Sequence, residues 1–490
     1  MERIYIGDTS FIDTYGRERI FHGINIVCKD KSKGYIYKLN RSTLKFLRKI
    51  GFNLVRLGVI WDGLEPEPGQ YDESYLDRLE EQIGELAENG MYVLLDMHQD
   101  LYGARYSDGA PEWATITDGL PDPEETAVWS DAYMSPAIQR AFDHFWSNDP
   151  APDGRGLQEH FAECWRLIAK RLGNRPEVLG YDVLNEPFPG SSASLIYKSL
   201  LATFSRIESE VLGRSHRPIE EIVEMYGDVK RRVEALQLLD DEDLYRKLVL
   251  SVVDLTRDFE SKLLMPFYNR VAKAIRSVTH YGIIFMEGNY FGNMGVPSGI
   301  SPIEINGVRE KLQAFAPHIY DLVIDTPYIT THSSEKRVKV ILEHRRNTQE
   351  RLNVPVIVGE WGAFSSHTKI EKHCNFLLDY FDRFKWSWTY WAWEPEFSNT
   401  EASKLSARPY PVAVTGRLIS FRYDTVNNTF AMKWISKGTS KAPTVVCLPK
   451  EISWSNIEIS PSSSYEVIEE EAVYVKIKPR HSGKHTVTIK

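Results

Sequence analysis

With 490 residues, the chain is long enough to form a full barrel together with a smaller domain. Hydrophobic residues make up 42% of it and charged residues 26%, which is typical of an ordinary soluble globular protein. The formal net charge of -9 argues against nucleic acid as a partner, because proteins that bind nucleic acid present a basic surface.

The four cysteines, Cys28, Cys164, Cys374 and Cys447, are scattered and show no CxxC spacing. This spacing predicts buried free thiols rather than disulfides or a metal site. No run approaches the ~20 apolar residues of a membrane span, and no apolar segment typical of a signal peptide follows Met1. We therefore expect a cytoplasmic protein, or a secreted protein whose signal peptide is absent from this sequence.

Eight short apolar runs predict strands, and most are followed by a helical pattern. The runs cover residues 21–26, 53–58, 91–98, 179–186, 281–287, 313–320, 354–360 and 386–393. Two of the helical patterns, 74–89 and 157–172, are each closed by a glycine. Repeated alternation of strand and helix predicts an α/β fold, a (β/α)₈ TIM barrel. In that fold the chemistry lies at the carboxyl ends of the strands.

Two regions exceed a minimal barrel. About ninety residues separate the fourth and fifth predicted strands, far more than a crossover requires, and residues 205–266 are helical in period. This insert either packs as solvated helices on the side of the barrel or forms a lid beside the active-site mouth. After residue 408, short alternating runs separated by Ser and Asn turns predict a C-terminal antiparallel β-sandwich. We therefore expect a catalytic barrel over residues 1–408 and a sandwich over 409–490.

Two glutamates stand at the ends of predicted buried strands. Glu186 lies in Asn-Glu-Pro, where Pro187 cannot extend the strand, and Glu360 lies in Gly-Glu-Trp-Gly. Two carboxylates facing each other across a barrel mouth provide what cleavage of a glycosidic bond needs. We expect a separation of ~5–5.5 Å, which is the retaining geometry.

These strand ends, with His98 and the His318-x-Tyr320 pair between them, resemble the retaining glycoside hydrolases of family five. Four further runs, 96–102, 109–119, 140–146 and 408–416, resemble the endoglycoceramidase branch of that family. Enzymes of that branch cleave between a sugar and the ceramide of glycosphingolipids. The likeness spans most of the chain, including the predicted sandwich.

The resemblance implies a role for each matching residue. Glu186 is the implied acid/base and Glu360 the implied nucleophile. Asn185 is expected to hydrogen-bond the sugar 2-hydroxyl, Tyr320 to donate to Glu360, and His318 to lie beside that pair. Arg56, on the second predicted strand, is expected to support Glu360 from behind.

Further residues are expected to bind the sugar. His98 and Asp100 match positions that bind the glycone. Lys31 matches a glycone-contacting lysine, although Lys29 is equally placed. Trp113 and Trp391 are either sugar-stacking platforms or buried packing residues.

Two carboxylates depart from the family pattern. Glu287, at the end of the fifth predicted strand, either binds a sugar hydroxyl or pairs with a cation. Glu394, after the eighth, is expected to grip hydroxyls of the first sugar. Such a crowded glycone end favours removal of a single sugar.

Three functions therefore stay open. The first is a retaining β-glycosidase that acts on glycosylceramides or similar lipid glycosides. The second is a β-glucosidase for soluble glucosides or short oligosaccharides, and the third is a non-catalytic carbohydrate-binding protein. We expect no cofactor and no metal, since carboxylates carry both chemical steps. The expected partner is a glycolipid or small glycoside, with possible peripheral membrane contact through apolar residues at the rim.

Overall fold

The computed structural model describes residues 1–438 and 440–490, and its centre is a parallel barrel. Three short strands precede the barrel: β1 (Ile4–Gly7), β2 (Ser10–Asp13) and β3 (Arg17–Arg19). The strands of the barrel region follow in chain order, with the small hairpin β9–β10 among them. They are β4 (His22–Ile26), β5 (Leu54–Ile60), β6 (Tyr92–His98), β7 (Val178–Asp182), β8 (Ile283–Met286), β9 (Glu304–Ile305), β10 (Val308–Arg309), β11 (Gln313–Phe315), β12 (His318–Ile319), β13 (Ile357–Val358), β14 (Glu360–Trp361) and β15 (Ser387–Tyr390).

The barrel strands pair in the order β11-β8-β7-β6-β5-β4-β15-β13, and every neighbouring pair is parallel. A parallel bridge between Phe315 and Val356 joins the two ends of this order. Farther toward the carboxyl ends, β12 pairs with β14, with His318 opposite Glu360. The predicted eight-stranded barrel is confirmed, and its strands are fully buried, as parallel strands covered by helices must be.

Helices surround the barrel. Those that follow β4 to β6 are α1 (Arg41–Lys49), α2 (Trp61–Leu64), α3 (Glu73–Glu88), α4 (Pro136–Trp146) and α5 (Leu157–Leu172). The predicted helices at 74–89 and 157–172 correspond to α3 and α5. Helix α3 begins after Asp72, whose side chain accepts hydrogen bonds from the Ser74 and Tyr75 amides, and its buried face repeats at helical spacing. Those later in the barrel are α12 (Ile329–His332), α13 (Glu335–Leu352), α14 (Glu371–Phe384) and α15 (Glu401–Ser406).

The insert after β7 is entirely helical in its ordered elements. It contains α6 (Ser192–Leu212), α7 (Ile219–Gly227), α8 (Val229–Leu236), α9 (Glu242–Leu250), α10 (Val253–Phe259), a π-helix (Glu260–Leu264) and α11 (Met265–Arg276). Helix α6 packs against α7 and α9, and α9 packs against α13 of the barrel. The apolar residues Ile222, Met225, Val233 and Leu239 are buried, so the insert has a core of its own that is continuous with the barrel's core. No helix of the described residues is long and apolar enough to cross a membrane.

The C-terminal region is built from two antiparallel sheets. Its strands are β16 (Tyr410–Thr415), β17 (Arg417–Asp424), β18 (Thr429–Lys437), β19 (Thr444–Leu448), β20 (Ile457–Ser460), β21 (Ser464–Glu469), β22 (Val473–Lys478) and β23 (Ser482–Ile489). One sheet has the order β17-β18-β23-β20. The other has the order β1-β2-β3-β16-β19-β22-β21. Alternate residues such as Phe430, Met432 and Trp434 face the core between the sheets.

The second sheet therefore includes the first three strands of the chain. Strand β3 pairs with β16, with Arg19 opposite Ala413, whereas the sequence analysis assigned residues 1–408 to the barrel. The reason lies in packing: Phe11 stacks on Phe285 of β8 at 6.1 Å, so the N-terminal strands cover the amino end of the barrel while they extend the C-terminal sheet. Because these strands are short and rich in polar residues, their hydrophobic pattern is too weak to reveal this placement.

Candidate active site

Glu186 stands at the carboxyl end of the barrel, on the turn that follows β7. Its backbone has φ of +45°, in the left-handed region that is costly for a residue other than glycine. Gln99 donates from Nε2 to the carbonyl of Asn185 at 2.9 Å and so holds the turn. Pro187 ends the extended run, as the sequence predicts. The strained turn directs the Glu186 carboxylate into a cavity of about 350 Å³.

Glu360 lines the same cavity from β14. The nearest polar group between the two glutamates is His318, whose Nδ1 lies 2.8 Å from Glu186 Oε1 and 3.4 Å from Glu360 Oε2. One carboxylate oxygen of each glutamate and one ring nitrogen of His318 all lie within 4.8 Å of one another. Inverting enzymes need ~6.5–9.5 Å between their carboxyl groups, whereas retaining enzymes need ~5–5.5 Å. The pair therefore has the spacing of a retaining site.

Both oxygens of Glu360 are held by the protein. Tyr320 donates its hydroxyl hydrogen to Oε2 at 2.9 Å, as expected, and Arg56 donates from Nη1 to Oε1 at 2.8 Å. The Arg56 guanidinium is fully buried and contacts the other acceptors of the strand ends: Asp182, Asp96, Glu287, Asn185 and Asn25. This planar donor group fixes the orientation of Glu360 relative to its neighbours.

Glu186 has the properties of an acid that works at neutral pH. Burial is the main cause that raises the pKa of Glu186 to about 7, and the negative charges of Glu360 and Asp100 act in the same direction. Hydrogen bonds from His318 Nδ1 at 2.8 Å and from Asn293 Nδ2 at 2.6 Å oppose that rise, because they favour the carboxylate. A carboxyl group poised near pH 7 can both give and take a proton.

Glu287 pairs with cations, which is one of the two roles considered for it. Its Oε1 lies 3.1 Å from Arg56 Nη2 and 3.2 Å from His318 Nε2, and its Oε2 accepts the backbone N–H of Glu186 at 2.9 Å. Burial opposes a charge on His318, but Glu287 and Glu360 outweigh burial and raise the pKa of His318 well above its ordinary value. Glu287 therefore positions Glu186 and keeps His318 a hydrogen-bond donor.

A cluster of polar side chains, Lys29, His98 and Asp100, lines the cavity beside the glutamates. His98 donates from Nδ1 to Asp96 at 2.8 Å and stacks on the Trp391 ring at 5.1 Å. Asp96 and its neighbouring carboxylates raise the pKa of His98 to about 10 against the effect of burial. Lys29 forms an ion pair with Asp100 and lies 5.2 Å from the Trp391 ring centroid. Although burial would raise it, Lys29 and His98 lower the pKa of Asp100 to about 2.

Three residues expected at the sugar do not line this cavity. Lys31 begins a 3₁₀ helix (Lys31–Lys33) and turns away to Asp62, at 2.7 Å, so Lys29 provides the cavity's lysine. Trp113 donates from Nε1 to the Glu65 carbonyl at 3.1 Å and packs edge-on against Trp61, which makes it a packing residue. Glu394 is exposed and lies outside the cavity wall.

By contrast, the helical insert contributes much of the cavity wall. Its apolar and aromatic side chains face the space that also contains the two glutamates: Tyr197, Leu200, Leu201, Phe204, Ile222, Met225, Tyr226, Leu236, Leu239 and Leu248. The insert therefore borders the mouth of the barrel instead of covering only its side. The sequence analysis predicted the insert but not the role of Asn293. This residue lies six positions after Glu287 and donates to Glu186.

Among residues 1–438 and 440–490, two groups of side chains have ligand atoms that could surround a metal ion, and protein cations contact both groups. One is Glu186, His318 and Glu360, and the other is His98, Asp100 and Asp108. Arg56 contacts Glu360 in the first, and Lys29 lies against Asp100 and 3.7 Å from Asp108 in the second. Glu360, Asp100 and Asp108 are thus paired with a guanidinium or an ammonium group, whereas Glu186 is held by hydrogen bonds from His318 and Asn293.

Comparison with known proteins is consistent with this geometry. The family profile described as Cellulase (glycosyl hydrolase family 5) matches residues 15–223 and 251–397, and that of the glycoside hydrolase family 5 C-terminal domain matches 408–490. The chain belongs to glycosyl hydrolase family 5. The resemblance inferred from the strand ends is confirmed, and this family 5 protein is a glycosidase. Residues 224–250, which include α8 and α9, lie outside both matches.

Several relatives and solved structures cover most of this family 5 chain. It is 24% identical to an endoglycoceramidase of Cyanea nozakii, over 96% of this chain and 89% of the relative. It is 26% identical to endoglycoceramidase I of Rhodococcus hoagii (strain 103S), over 88% and 77%. The structure of endo-glycoceramidase II from Rhodococcus sp. in a ganglioside GM3 complex matches with a TM-score of 0.76 at 25% identity, over 99% of each chain.

Proposed function

We propose that this family 5 glycosidase hydrolyses the bond between a glucose unit, alone or in an oligosaccharide, and a lipid aglycone such as ceramide. One observation carries the proposal: a single cavity joins the carboxylate pair to an apolar wall from the helical insert. A sugar fits the polar part, and an aglycone of low polarity fits the apolar part. The relatives named endoglycoceramidase, and the ganglioside complex of a related enzyme, support this substrate class.

The proposed reaction proceeds by double displacement. Glu360 attacks the anomeric carbon and forms a glycosyl–enzyme ester, while Glu186 gives its proton to the leaving glycosidic oxygen. Glu186 then takes a proton from water, which attacks the anomeric carbon, breaks its bond to the Glu360 oxygen and releases the sugar with its configuration retained. A related endo-glycoceramidase II has been solved as a lactosyl–enzyme intermediate, which supports this route.

The neighbouring residues suit the two steps. Asn185 accepts from Arg56 Nη2 at 3.0 Å and donates from Nδ2 to the Gln99 carbonyl at 3.1 Å, which leaves one amide hydrogen for the sugar 2-hydroxyl. The side chains of Lys29, His98 and Asp100 offer donors and acceptors for other hydroxyls. Trp391 offers a flat apolar face for the sugar ring.

Parallel assays on an aryl β-glucoside, glucosylceramide and lactosylceramide test the substrate class. We expect release of ceramide, detected by mass, and a β-configured sugar as the first product by NMR. Strong hydrolysis of the aryl glucoside with no released ceramide would favour the β-glucosidase for soluble glucosides instead. An α-configured first product would contradict the retaining mechanism.

The roles of the two glutamates have a separate test. In a Glu186→Ala variant, an aryl glucoside with a good leaving group should still form the ester, because that leaving group needs no proton. Added azide should then restore turnover and yield a β-glycosyl azide. Recovery of an α-glycosyl azide, or no rescue with any leaving group, would contradict the assignment of Glu186 as acid/base.

We also propose peripheral contact with a lipid surface, since a lipid substrate must be taken from one. Large apolar side chains are exposed on the insert, at Leu195, Leu212, Val223 and Leu250. Sedimentation with neutral phosphatidylcholine vesicles tests this contact. Binding that is weakened by Val223→Ser and Leu250→Ser is expected, whereas the absence of wild-type protein from the pellet would overturn it.

A further inference from the structure

A charged pair lies in the otherwise apolar part of the cavity. Arg232 of α8 and Asp131 of the 3₁₀ helix Trp129–Met134 both line it, and Arg232 Nη1 donates to the two carboxylate oxygens at 3.1 and 3.2 Å. Arg232 is only 6% exposed. It also belongs to the segment 224–250 that the family profile does not match. The Asp131 side chain is 27% exposed, so the cost of burial falls mainly on the guanidinium, whose presence in an apolar wall calls for a reason.

The ion pair does not use every hydrogen-bond donor of Arg232. Nη1 meets the Asp131 carboxylate, and the Tyr226 side chain is a second polar partner of the guanidinium. A guanidinium has five N–H donors, so these two partners leave some of them for a ligand in the cavity. The guanidinium lies 4.2 Å from the centroid of the Tyr226 ring, which in turn packs edge-on against Tyr197 at 5.3 Å. The group is therefore held in one orientation by a carboxylate on one side and an aromatic face on another.

The charges select the chemistry of a ligand. The charges of Arg232 and Asp131 sum to zero. An anionic ligand would be attracted by the guanidinium but repelled by the carboxylate, so the pair does not favour an anion. A hydrocarbon would leave the free donors without a partner and without water, which is costly. A neutral group that accepts from Arg232, such as an amide carbonyl or a hydroxyl, satisfies them. A neighbouring N–H or O–H can donate to Asp131.

The pair also lies on the side of the cavity that receives the leaving group. Glu186 protonates the leaving oxygen in the proposed reaction, so the aglycone extends from Glu186. Tyr290, which also lines the cavity, donates its backbone N–H to the carbonyl of Pro187, next to Glu186, at 2.9 Å. Its ring packs against Tyr133 at 4.9 Å, and Tyr133 lies on the same 3₁₀ helix as Asp131, so Tyr290 connects the Glu186 end of the cavity with the ion pair.

We propose that Arg232 and Asp131 bind a neutral hydrogen-bonding group of the aglycone, an amide or hydroxyl close to the glycosidic oxygen. They thereby select glycosides of N-acylated amino-alcohol lipids over alkyl and sterol glycosides. This inference rests on the proposed function, since it requires a lipid aglycone beside Glu186.

Two micellar β-glucosides of equal chain length test the inference. One carries an acylamino group on the carbon next to the glycosidic CH₂, and the other carries only hydrocarbon. The readout is the ratio of their kcat/KM values. We expect the wild type to prefer the amide-bearing substrate, and Arg232→Met to lower that ratio by about tenfold or more, because a hydrogen bond to a charged group is lost. Arg231→Met is the matched control: Arg231 is the preceding residue of α8, its side chain is exposed and pairs with Glu224, and it does not line the cavity as described, so the ratio should stay at its wild-type value.

A purely structural role makes a different prediction. If the pair only holds α8 against the mouth, Arg232→Met lowers both kcat/KM values equally, and the inference is overturned. Arg232→Lys, which keeps the charge, and Asp131→Asn provide second variants should the first not fold, with thermal unfolding as the check. For both variants the inference predicts a lowered ratio.

Equal cleavage of the two glucosides by the wild type overturns the inference alone. Cleavage of neither, with an aryl glucoside still hydrolysed, overturns the proposed function as well.

Discussion

The two halves of the cavity are built on different principles. At the barrel's carboxyl end, the reacting glutamates are held by bonds that cross between strands: Arg56 of β5 reaches Glu360 of β14, and Glu287 after β8 reaches the backbone of Glu186. In the insert, the wall is made mostly of apolar side chains from amphipathic helices, together with Arg232, which pairs with Asp131 outside the insert.

The groups that react and the groups proposed to select the aglycone therefore lie in different parts of the chain. The strand-end network lies inside the family 5 match, whereas α8 and α9 lie outside it. A change in the network alters the position or protonation of the reacting groups for every substrate. Under the proposed function, a change in the insert wall should alter only how the aglycone is accommodated. Substitutions in the two halves should therefore differ in whether they discriminate between substrates.

The largest effect is expected at Glu360. In Glu360→Gln the amide cannot form the glycosyl ester, so kcat/KM should fall by at least about 10⁴-fold for an aryl glucoside and for glucosylceramide alike. Glu396→Gln, at an exposed position near the mouth, is the control. Activity within tenfold of the wild type would show that another group acts as nucleophile.

A smaller loss without discrimination is expected at Glu287. Glu287→Gln keeps the shape but removes the charge that pairs with Arg56 and His318, so the turn bearing Glu186 is held less firmly. Loss of charged hydrogen bonds should lower kcat/KM about 10–100-fold for both substrates. The exposed Glu304→Gln serves as control. If glucosylceramide suffered and the aryl glucoside did not, Glu287 would belong to substrate selection instead.

An effect that does discriminate is expected in the insert wall. Leu236 of α8 lines the cavity, and Leu236→Asn replaces an apolar surface with a polar one. The ratio of kcat/KM for glucosylceramide to that for the aryl glucoside should fall about 3–10-fold, since less apolar surface is removed from water. Val426→Asn, in the exposed turn between β17 and β18 and away from the insert, should leave the ratio as it is. An unchanged ratio in Leu236→Asn would place the lipid elsewhere.

The strand ends were predictable because they depend on local sequence. An apolar run that stops at Asn-Glu-Pro or Gly-Glu-Trp-Gly places its carboxylate at the edge of a buried sheet, and eight such runs specify the barrel. Lys29 and Lys31 show where that reasoning ends. They are two residues apart in one loop, and only the 3₁₀ turn capped by Asp30 and Gly34 directs Lys31 away to Asp62.

Long-range placement was harder to predict. Strand β3, which carries β1 and β2 with it, pairs with β16, some four hundred residues along the chain. The helical period of the insert indicated its secondary structure, yet not which face would meet the cavity, because that depends on how α6 to α9 pack on α13. Glu394 and Trp113 have the residue types of sugar contacts, but neighbouring elements turn both away from the cavity.

The smallest predicted effect is a change in pH dependence, and it tests the network most finely. Glu186 must be protonated to act as an acid, so kcat/KM should decline as pH rises through about 7, the pKa that burial gives this carboxyl group. The Asn293 amide donates to Glu186 Oε1 and favours the ionised form. Removing it in Asn293→Ala should raise the pKa of Glu186, so the alkaline limb should move to higher pH by up to about one unit. Asn347→Ala, at an exposed position of α13, should leave the profile in place. A limb that moved to lower pH in Asn293→Ala would mean that Asn293 stabilises the protonated acid, and the sign of its interaction with Glu186 would have to be reversed.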